Sequence, residues 1–305
     1  MVKICFFQSE IPHDRLLDTF RKMTPGRSGT WKDVTAVTSP DAADYHVVVD
    51  ETKFKVDPKK AIYIGGHPTS CTGYSDFEDR GGYVAKIDLA HEPGFGEWWL
   101  RADYDELSNL QPPKKTKDLT CILSNTRVFD YHKRRIQFMV EFCSKYPTRV
   151  DLYGRIQIQD GESSLHNSYK GVAGIQEGVS SYLDRYWYGK RRCIEPYRYS
   201  LEFDMGRSPE MGICENYFSE RFYDSMLLWT MPIYYGGTNI EKYLPPNSFR
   251  YIDIFNPNHT PEYVIDIVNS DFREEHISDI AEARNLLLNK YQIWPRLHSI
   301  IKEIK

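Results

Sequence analysis

The sequence contains no apolar run approaching the roughly 18 residues of a membrane span. Met1-Val2-Lys3 opens directly into a strand pattern and not into a signal peptide. A soluble, cytoplasmic chain with no membrane partner is therefore expected. A basic excess is also missing: 39 Lys and Arg stand against 43 Asp and Glu, for a net charge of −4. That balance gives nothing to a nucleic-acid partner. Paired cysteines are missing too. Cys5, Cys71, Cys121, Cys143, Cys193 and Cys214 are scattered with no CxxC, and three of them sit in apolar segments. Reduced, buried thiols are the expectation. Internal repeats and low-complexity tracts do not occur. The Asn258-His259-Thr260 sequon means nothing without a secretory route.

What is present is a globular composition, 41% hydrophobic and 27% charged over 305 residues, a length that favours two domains. Val2 to Phe7, Tyr45 to Val49, Ala61 to Ile64 and Tyr83 to Ile87 read as strands, and His13 to Met23 as an amphipathic helix. Gln111 to Asp118 (QPPKKTKD) is the clearest linker. It separates an expected domain 1–113 from a second, 114–305. Past it, Leu119 to Leu123 starts another sheet, and a helix runs from about Tyr131 to Lys145. Val150 to Arg155 gives a strand and a glycine turn, and the chain ends in helices over Pro261 to Asn269, Asp271 to Leu288 and Tyr291 to Lys305. Strands alternating with helices on both sides of the linker predict two Rossmann-like α/β domains with parallel sheets.

Tyr197 to Phe249 is the most informative stretch. Tyr199 to Phe203 alternates as a strand does, and a helix follows from Asn216 or Ser219, sending Phe222, Met226 and Trp229 inward. Pro232 ends that helix, and Ile233-Tyr234-Tyr235 is a buried strand stopped by Gly236-Gly237. Such a unit holds ligands at the carboxyl ends of its strands. Arg221 in the first helical turn opposes the helix dipole, which an anion held there would explain. A solvated arginine on an exposed face is the plain alternative. His132-Lys133-Arg134-Arg135 poses the same choice at another helix start.

Four blocks in order resemble the donor-binding half of the family-10 glycosyltransferases, the α1,3/1,4-fucosyltransferases. They are Tyr197-Arg198-Tyr199-Ser200-Leu201-Glu202-Phe203-Asp204, Asn216-Tyr217-Phe218-Ser219-Glu220-Arg221, Met231-Pro232-Ile233-Tyr234-Tyr235-Gly236 and Pro246-Asn247-Ser248-Phe249. Leu123-Ser124-Asn125, with the later Arg135 and the Val150-Asp151-Leu152-Tyr153-Gly154 word, is similar to the family's Ser-Asn block. The resemblance implies a GT-B architecture, two Rossmann-like domains facing a central cleft. It implies donor contacts from Ser124, Asn125, Arg135, Asp204, Tyr217, Glu220, Arg221 and Gly236. Glu220 and Tyr217, three apart, are expected on one helical face. Arg135 and Arg221 would clamp the donor pyrophosphate, so that no metal or other cofactor is needed. The missing anchor and stem imply a bacterial or viral type, or a trimmed chain.

Two departures qualify what the resemblance implies. Where the family has a Glu after a strand and a Gly, this chain has Gly65-Gly66-His67-Pro68, leaving His67 to deprotonate the acceptor. A structural histidine in a turn is the alternative, with Asp76, Glu78 and Glu97 as other candidates. The family's Glu-Asn becomes Asp204-Met205, which opens the donor's identity. The implied reaction is inverting transfer of fucose from GDP-fucose to a glycan or glycoprotein hydroxyl. The alternatives are a UDP-xylose or UDP-hexose donor, or an inactive glycan- or nucleotide-binding protein. Trp98 and Trp99 suggest an acceptor groove or packing anchors. Asp103-Tyr104-Asp105 looks like a metal-binding DxD, but it lacks the context of one.

Overall fold

A computed structural model describes residues 1–9, 11–65, 82–87, 96–173, 189–204, 207–208, 212–213 and 215–304. His67, Asp76 and Glu78 lie outside this set. The chain divides into two compact units. One is Met1–Glu97 with Ala102–Asn109 and Asn285–Lys305, and the other is Trp98–Arg101 with Leu110–Arg284.

The first unit contains β1 (Val2–Ser9), β2 (Thr30–Trp31), β3 (Val34–Ala36), β4 (Tyr45–Thr52), β5 (Ala61–Ile64) and β6 (Ala85–Ile87). Their order is β2-β3-β1-β4-β5-β6; β2 runs antiparallel to β3 and the other pairs are parallel. Ile4 through Phe7 in β1 and Val47 through Val49 in β4 are all buried, as central parallel strands covered on both faces require. The helix His13–Arg21 packs Leu16, Leu17 and Phe20 inward. A cut at 113/114 leaves Asn285–Lys305 in the other domain, yet its packing returns it to this unit. Trp294 Nε1 donates to Phe20 O at 2.9 Å and Gln292 Nε2 to Met23 O at 3.1 Å. Gly96 (φ 77°) accepts from Ile293 N at 3.1 Å, so close that a Cβ there would meet Tyr291 O at 2.3 Å.

The second unit contains β7 (Lys117–Ile122), β8 (Asp151–Tyr153), β9 (Tyr169–Gly171), β10 (Tyr197–Phe203), a small hairpin of β11 (Arg207–Ser208) and β12 (Gly212–Ile213), then β13 (Met231–Tyr235) and β14 (Arg250–Tyr251). The main sheet is parallel throughout, in the order β14-β13-β10-β7-β8-β9. From β7 the chain builds outward through β8 and β9. It then crosses back to place β10, β13 and β14 on the other side, so the order reverses between β7 and β10. Pro232 lies inside β13, opposite Ser200. Pairing with β14 begins only at Ile233, so the strand tolerates a residue with no N–H. The four described cysteines, Cys5, Cys121, Cys143 and Cys193, are all buried and free. No described helix is long and apolar enough to cross a membrane.

Candidate functional site

The reversal of strand order between β7 and β10 makes a crevice at the carboxyl ends of these two strands, where open α/β sheets take their ligands. Ser124 and Asn125 follow β7, Asp204 follows β10, and both arginines come to this place. Arg135 sits on the Asp130–Lys145 helix and is only 2% exposed. Its Nη2 donates to Ser124 Oγ at 2.7 Å, while its buried Nε has no acceptor among the described residues. Arg221, in the first turn of the Glu220–Leu227 helix, reaches back so that Nη1 donates to Phe203 O at 2.9 Å. Burial first, and then the charge of Arg221, push the Arg135 guanidinium down from 12.5 to about 10. Two cations held within each other's field, one with an unused buried donor, form a site that an anion would stabilise.

His132 belongs to this site, although the sequence presents it only as part of a cationic run. It lies one helical turn before Arg135, on the same face. Phe129 N donates to its Nδ1 at 3.1 Å, so Nδ1 carries no proton. The neutral ring then has its hydrogen on Nε2, facing Tyr131 Oη at 2.5 Å. Burial, with the charges of Arg135 and Arg221 behind it, lowers His132 to about 3. The residue is thus an uncharged cap on the helix.

Asp204 is oriented by the protein itself. Its carboxylate accepts Ser219 N at 2.8 Å, Ser219 Oγ at 2.5 Å and Tyr234 Oη at 3.3 Å. Burial raises its pKa, and Arg221 offsets part of that rise. Ser219 in turn caps the helix by accepting Arg221 N at 3.2 Å. Because the helix begins at Glu220, Tyr217 precedes it, and the expected shared helical face of Tyr217 and Glu220 does not exist. Tyr217 contributes its carbonyl, which accepts Tyr234 Oη at 3.0 Å. The Glu220 side chain, 17% exposed, lies 3.9 Å from Arg221 Nε. Gly236 is needed for Tyr234, whose hydroxyl a Cβ there would meet at 2.0 Å. Asn125 ties the loop after β7 to the segment after β8, its Oδ1 accepting Gln157 N at 3.2 Å, and Arg127 joins the same two segments by a bidentate pair with Glu162 at 2.7 and 2.9 Å.

Two further buried carboxylates and one half-buried one are absent from the sequence reading. Asp224, one turn beyond Glu220, accepts Trp99 N at 2.8 Å and pairs with Lys190 at 2.5 Å. Glu202 accepts Ser200 Oγ and Ser225 Oγ, each at 2.5 Å, and burial raises its pKa. At the opposite end of the sheet, Asp151 accepts Tyr197 Oη at 2.7 Å and Lys117 Nζ at 2.8 Å, while Tyr153 and Tyr197 hydroxyls lie 2.9 Å apart. Asp151 therefore staples β7, β8 and β10 at the end of the sheet away from the crevice. Trp98 is fully buried, as a packing anchor is. Asp103 caps a short helix through Glu106 N at 3.0 Å, and Asp105 accepts Gly26 N at 2.6 Å, so the DxD-like triplet is structural.

The chain is similar to known proteins in sequence and in fold. The chain is 27% identical over 112 residues to the zebrafish (Danio rerio) GDP-fucose protein O-fucosyltransferase 3, a match covering 37% of this chain and 22% of that one. The dog (Canis lupus familiaris) protein of that name is 27% identical over 85 residues, covering 27% and 16%. These matches span about a fifth of the relatives' length. Among solved structures, an α1,3-fucosyltransferase superposes with a TM-score of 0.50 at 12% identity, covering 99% of this chain and 90% of that one. A DNA-modifying β-glucosyltransferase superposes at 0.53 and 12% identity, with 99% of each chain covered. Both likenesses establish the GT-B fold of two parallel-sheet α/β domains. Residues 112–274, more than half of the chain, match the model described as glycosyltransferase family 10 (fucosyltransferase) C-term. With the crevice and both arginines lying inside that span, the chain belongs to glycosyltransferase family 10.

Proposed function

We propose that this chain is an inverting glycosyltransferase that moves a sugar, fucose from GDP-fucose first among candidates, onto a glycan or glycoprotein hydroxyl. The observation that carries the reading is the pair of arginines at the β7/β10 reversal, with Arg135 holding an unused buried Nε donor. A donor diphosphate would take that hydrogen bond and offset the mutual repulsion of the two cations with its own negative charge. As the glycosidic bond breaks, negative charge grows on the leaving phosphate, and prearranged cations stabilise it most at that moment. The arginines thereby do the work a divalent ion does elsewhere, and we propose that none is required. Glu220 at the crevice would accept donor hydroxyls, with Ser124 and the Ser219-capped helix holding the arginines in place. Proton removal from the acceptor falls to a first-unit residue, for which sequence reasoning gives His67. The names of the curated relatives favour GDP-fucose and a protein-borne acceptor.

Asp204 supports a second reading of the donor, because the carboxylate standing at the family's Glu-Asn position is committed to Ser219. A UDP sugar is therefore the rival. Calorimetry with GDP, UDP, GMP and guanosine, followed by turnover of GDP-fucose and UDP-glucose with EDTA present, tests both readings. The expected order is diphosphate above monophosphate above nucleoside, with the product anomer inverted by NMR. Equal affinity for nucleoside and diphosphate refutes the clamp.

A further inference from the structure

The first unit has its own reversal of strand order, between β1 and β4, and chemistry collects at the carboxyl ends of those two strands. Their pairing is irregular there. The register shifts between Phe7 and Ser9, and both Ser9 (φ 44°) and Asp50 (φ 56°) adopt a left-handed backbone. Thr52 Oγ1 donates to Ser9 O at 3.3 Å and Lys53 N to the same oxygen at 3.1 Å, binding the two strand ends together. Bulges of this kind re-aim side chains beside active sites, and non-glycine residues at positive φ mark places where the surroundings impose the conformation.

His13 opens the helix that follows β1, and its Nδ1 lies 3.0 Å from Phe6 O. A carbonyl oxygen can only accept, so Nδ1 carries the proton and the neutral ring's lone pair is on Nε2. Nε2 has no partner among the described residues. Two aromatic rings fix the imidazole plane: Phe7 edge-on at 4.6 Å and Phe54 tilted at 4.9 Å. Phe7 is buried, but Phe54, just past the end of β4, is 39% exposed. A basic nitrogen of fixed tautomer beside an exposed aromatic face suits a sugar ring, which stacks its C–H face on the aromatic and offers a hydroxyl to the base.

We propose that this end of the first sheet is the acceptor-sugar site, with Phe54 as the stacking surface and His13 Nε2 as the proton acceptor. The step balances as follows. The acceptor oxygen forms a bond to the donor's anomeric carbon, and the carbon–phosphate-oxygen bond breaks with its electron pair leaving on the nucleoside diphosphate. The hydroxyl proton passes to Nε2, giving an imidazolium that returns it to water. This proposal rests on the glycosyl-transfer reading above and names a base other than His67.

The test measures nucleoside diphosphate release from GDP-fucose and UDP-glucose by the full chain, in water and with N-acetyllactosamine and methyl glycosides. Wild type is compared with His13→Gln, Phe54→Ala and His67→Ala, with GDP affinity as the control. Glutamine keeps a donor for Phe6 O but offers no basic nitrogen. The expected result is a kcat loss of about 10²–10⁴-fold in His13→Gln, GDP affinity unchanged, and an acceptor KM raised about tenfold in Phe54→Ala. Retention of more than about a third of kcat in His13→Gln overturns the proposal. So does loss of GDP binding in that variant, which would make His13 structural. A wild type that turns over neither donor refutes the parent reading instead, and this one with it.

Discussion

Replacing Arg135 by Met separates a binding role from a structural one, because the two predict opposite changes in stability. Holding the guanidinium at about 10 in place of 12.5 corresponds to about 3 kcal/mol against its charged form, taking about 1.4 kcal/mol per tenfold. The side chain is 2% exposed, so solvent screens little of this. Its removal also forfeits the 2.7 Å hydrogen bond to Ser124 Oγ, a loss of about 1–2 kcal/mol when a charged donor is involved. Arg135→Met in the ligand-free protein should therefore be neutral or more stable by about 1–2 kcal/mol, a rise of a few degrees in Tm. Diphosphate binding should weaken by about 1.5–3 kcal/mol, or roughly 10- to 150-fold. Differential scanning calorimetry without ligand, paired with titration calorimetry using GDP and UDP, measures both quantities. A variant that is clearly less stable and yet binds GDP normally would refute the reasoning, since it would make Arg135 a core residue and not half of an anion site.

Three other outcomes follow from the same geometry. His132 is held at about 3 by burial, with Arg135 and Arg221 adding to it, against 6.5 unperturbed. Between those values the unfolded chain binds the extra proton, so stability is full above 6.5 and falls by up to about 1.4 kcal/mol per pH unit toward 3. Urea unfolding at pH 7, 5 and 4 should show this component missing from His132→Gln, and superimposable profiles would contradict it. Gly154 (φ 119°) leaves Leu123 O where a Cβ would stand 2.0 Å away. Gly154→Ala should thus cost more than about 4 kcal/mol by chemical denaturation, whereas a loss below about 1 kcal/mol would mean that β7 and β8 shift freely. Asp103→Asn with Asp105→Asn should lower stability modestly through Gly26 and Glu106 while leaving transfer unchanged with or without Mn²⁺; a manganese-dependent loss of turnover would restore the metal-binding reading.

The sheets were legible because parallel strands buried on both faces leave unbroken apolar runs, as in Ile4 through Phe7 and Val47 through Val49. Strand order was not, because it depends on crossovers that carry no local signal. The β7/β10 reversal that gathers Ser124, Arg135, Asp204 and Arg221 emerges only from the sheet. Arg135 and Arg221 could be singled out because each opposes a helix dipole. His132 looked like one more cation because burial, which keeps it neutral, is invisible in the sequence. The sequence puts Tyr217 on the same helical face as Glu220, but of its two candidate starts, Asn216 and Ser219, the helix takes the later, since the capping contact to Asp204 spans a gap of 15 residues. The C-terminal segment went to the wrong side of a linear cut because what holds it, Trp294 against Phe20 and Phe6, lies more than 270 positions away.

The four buried thiols supply unfolding reporters already in place. Burial pushes Cys5 up to about 11 and Cys193 up to about 12, with Cys143 raised and Cys121 raised further still. Since only the thiolate alkylates, these four cysteines are silent toward iodoacetamide at neutral pH in the folded state, and each labelling event at one of them marks an opening of the surrounding structure. Cys5 belongs to the first unit and the other three to the second. With Cys71 and Cys214 replaced by serine, mass spectrometry of a labelling time course would give a separate opening free energy for each unit from one sample. Adding GDP to that sample would slow labelling at Cys121, Cys143 and Cys193 if the nucleotide is held at the β7/β10 crevice.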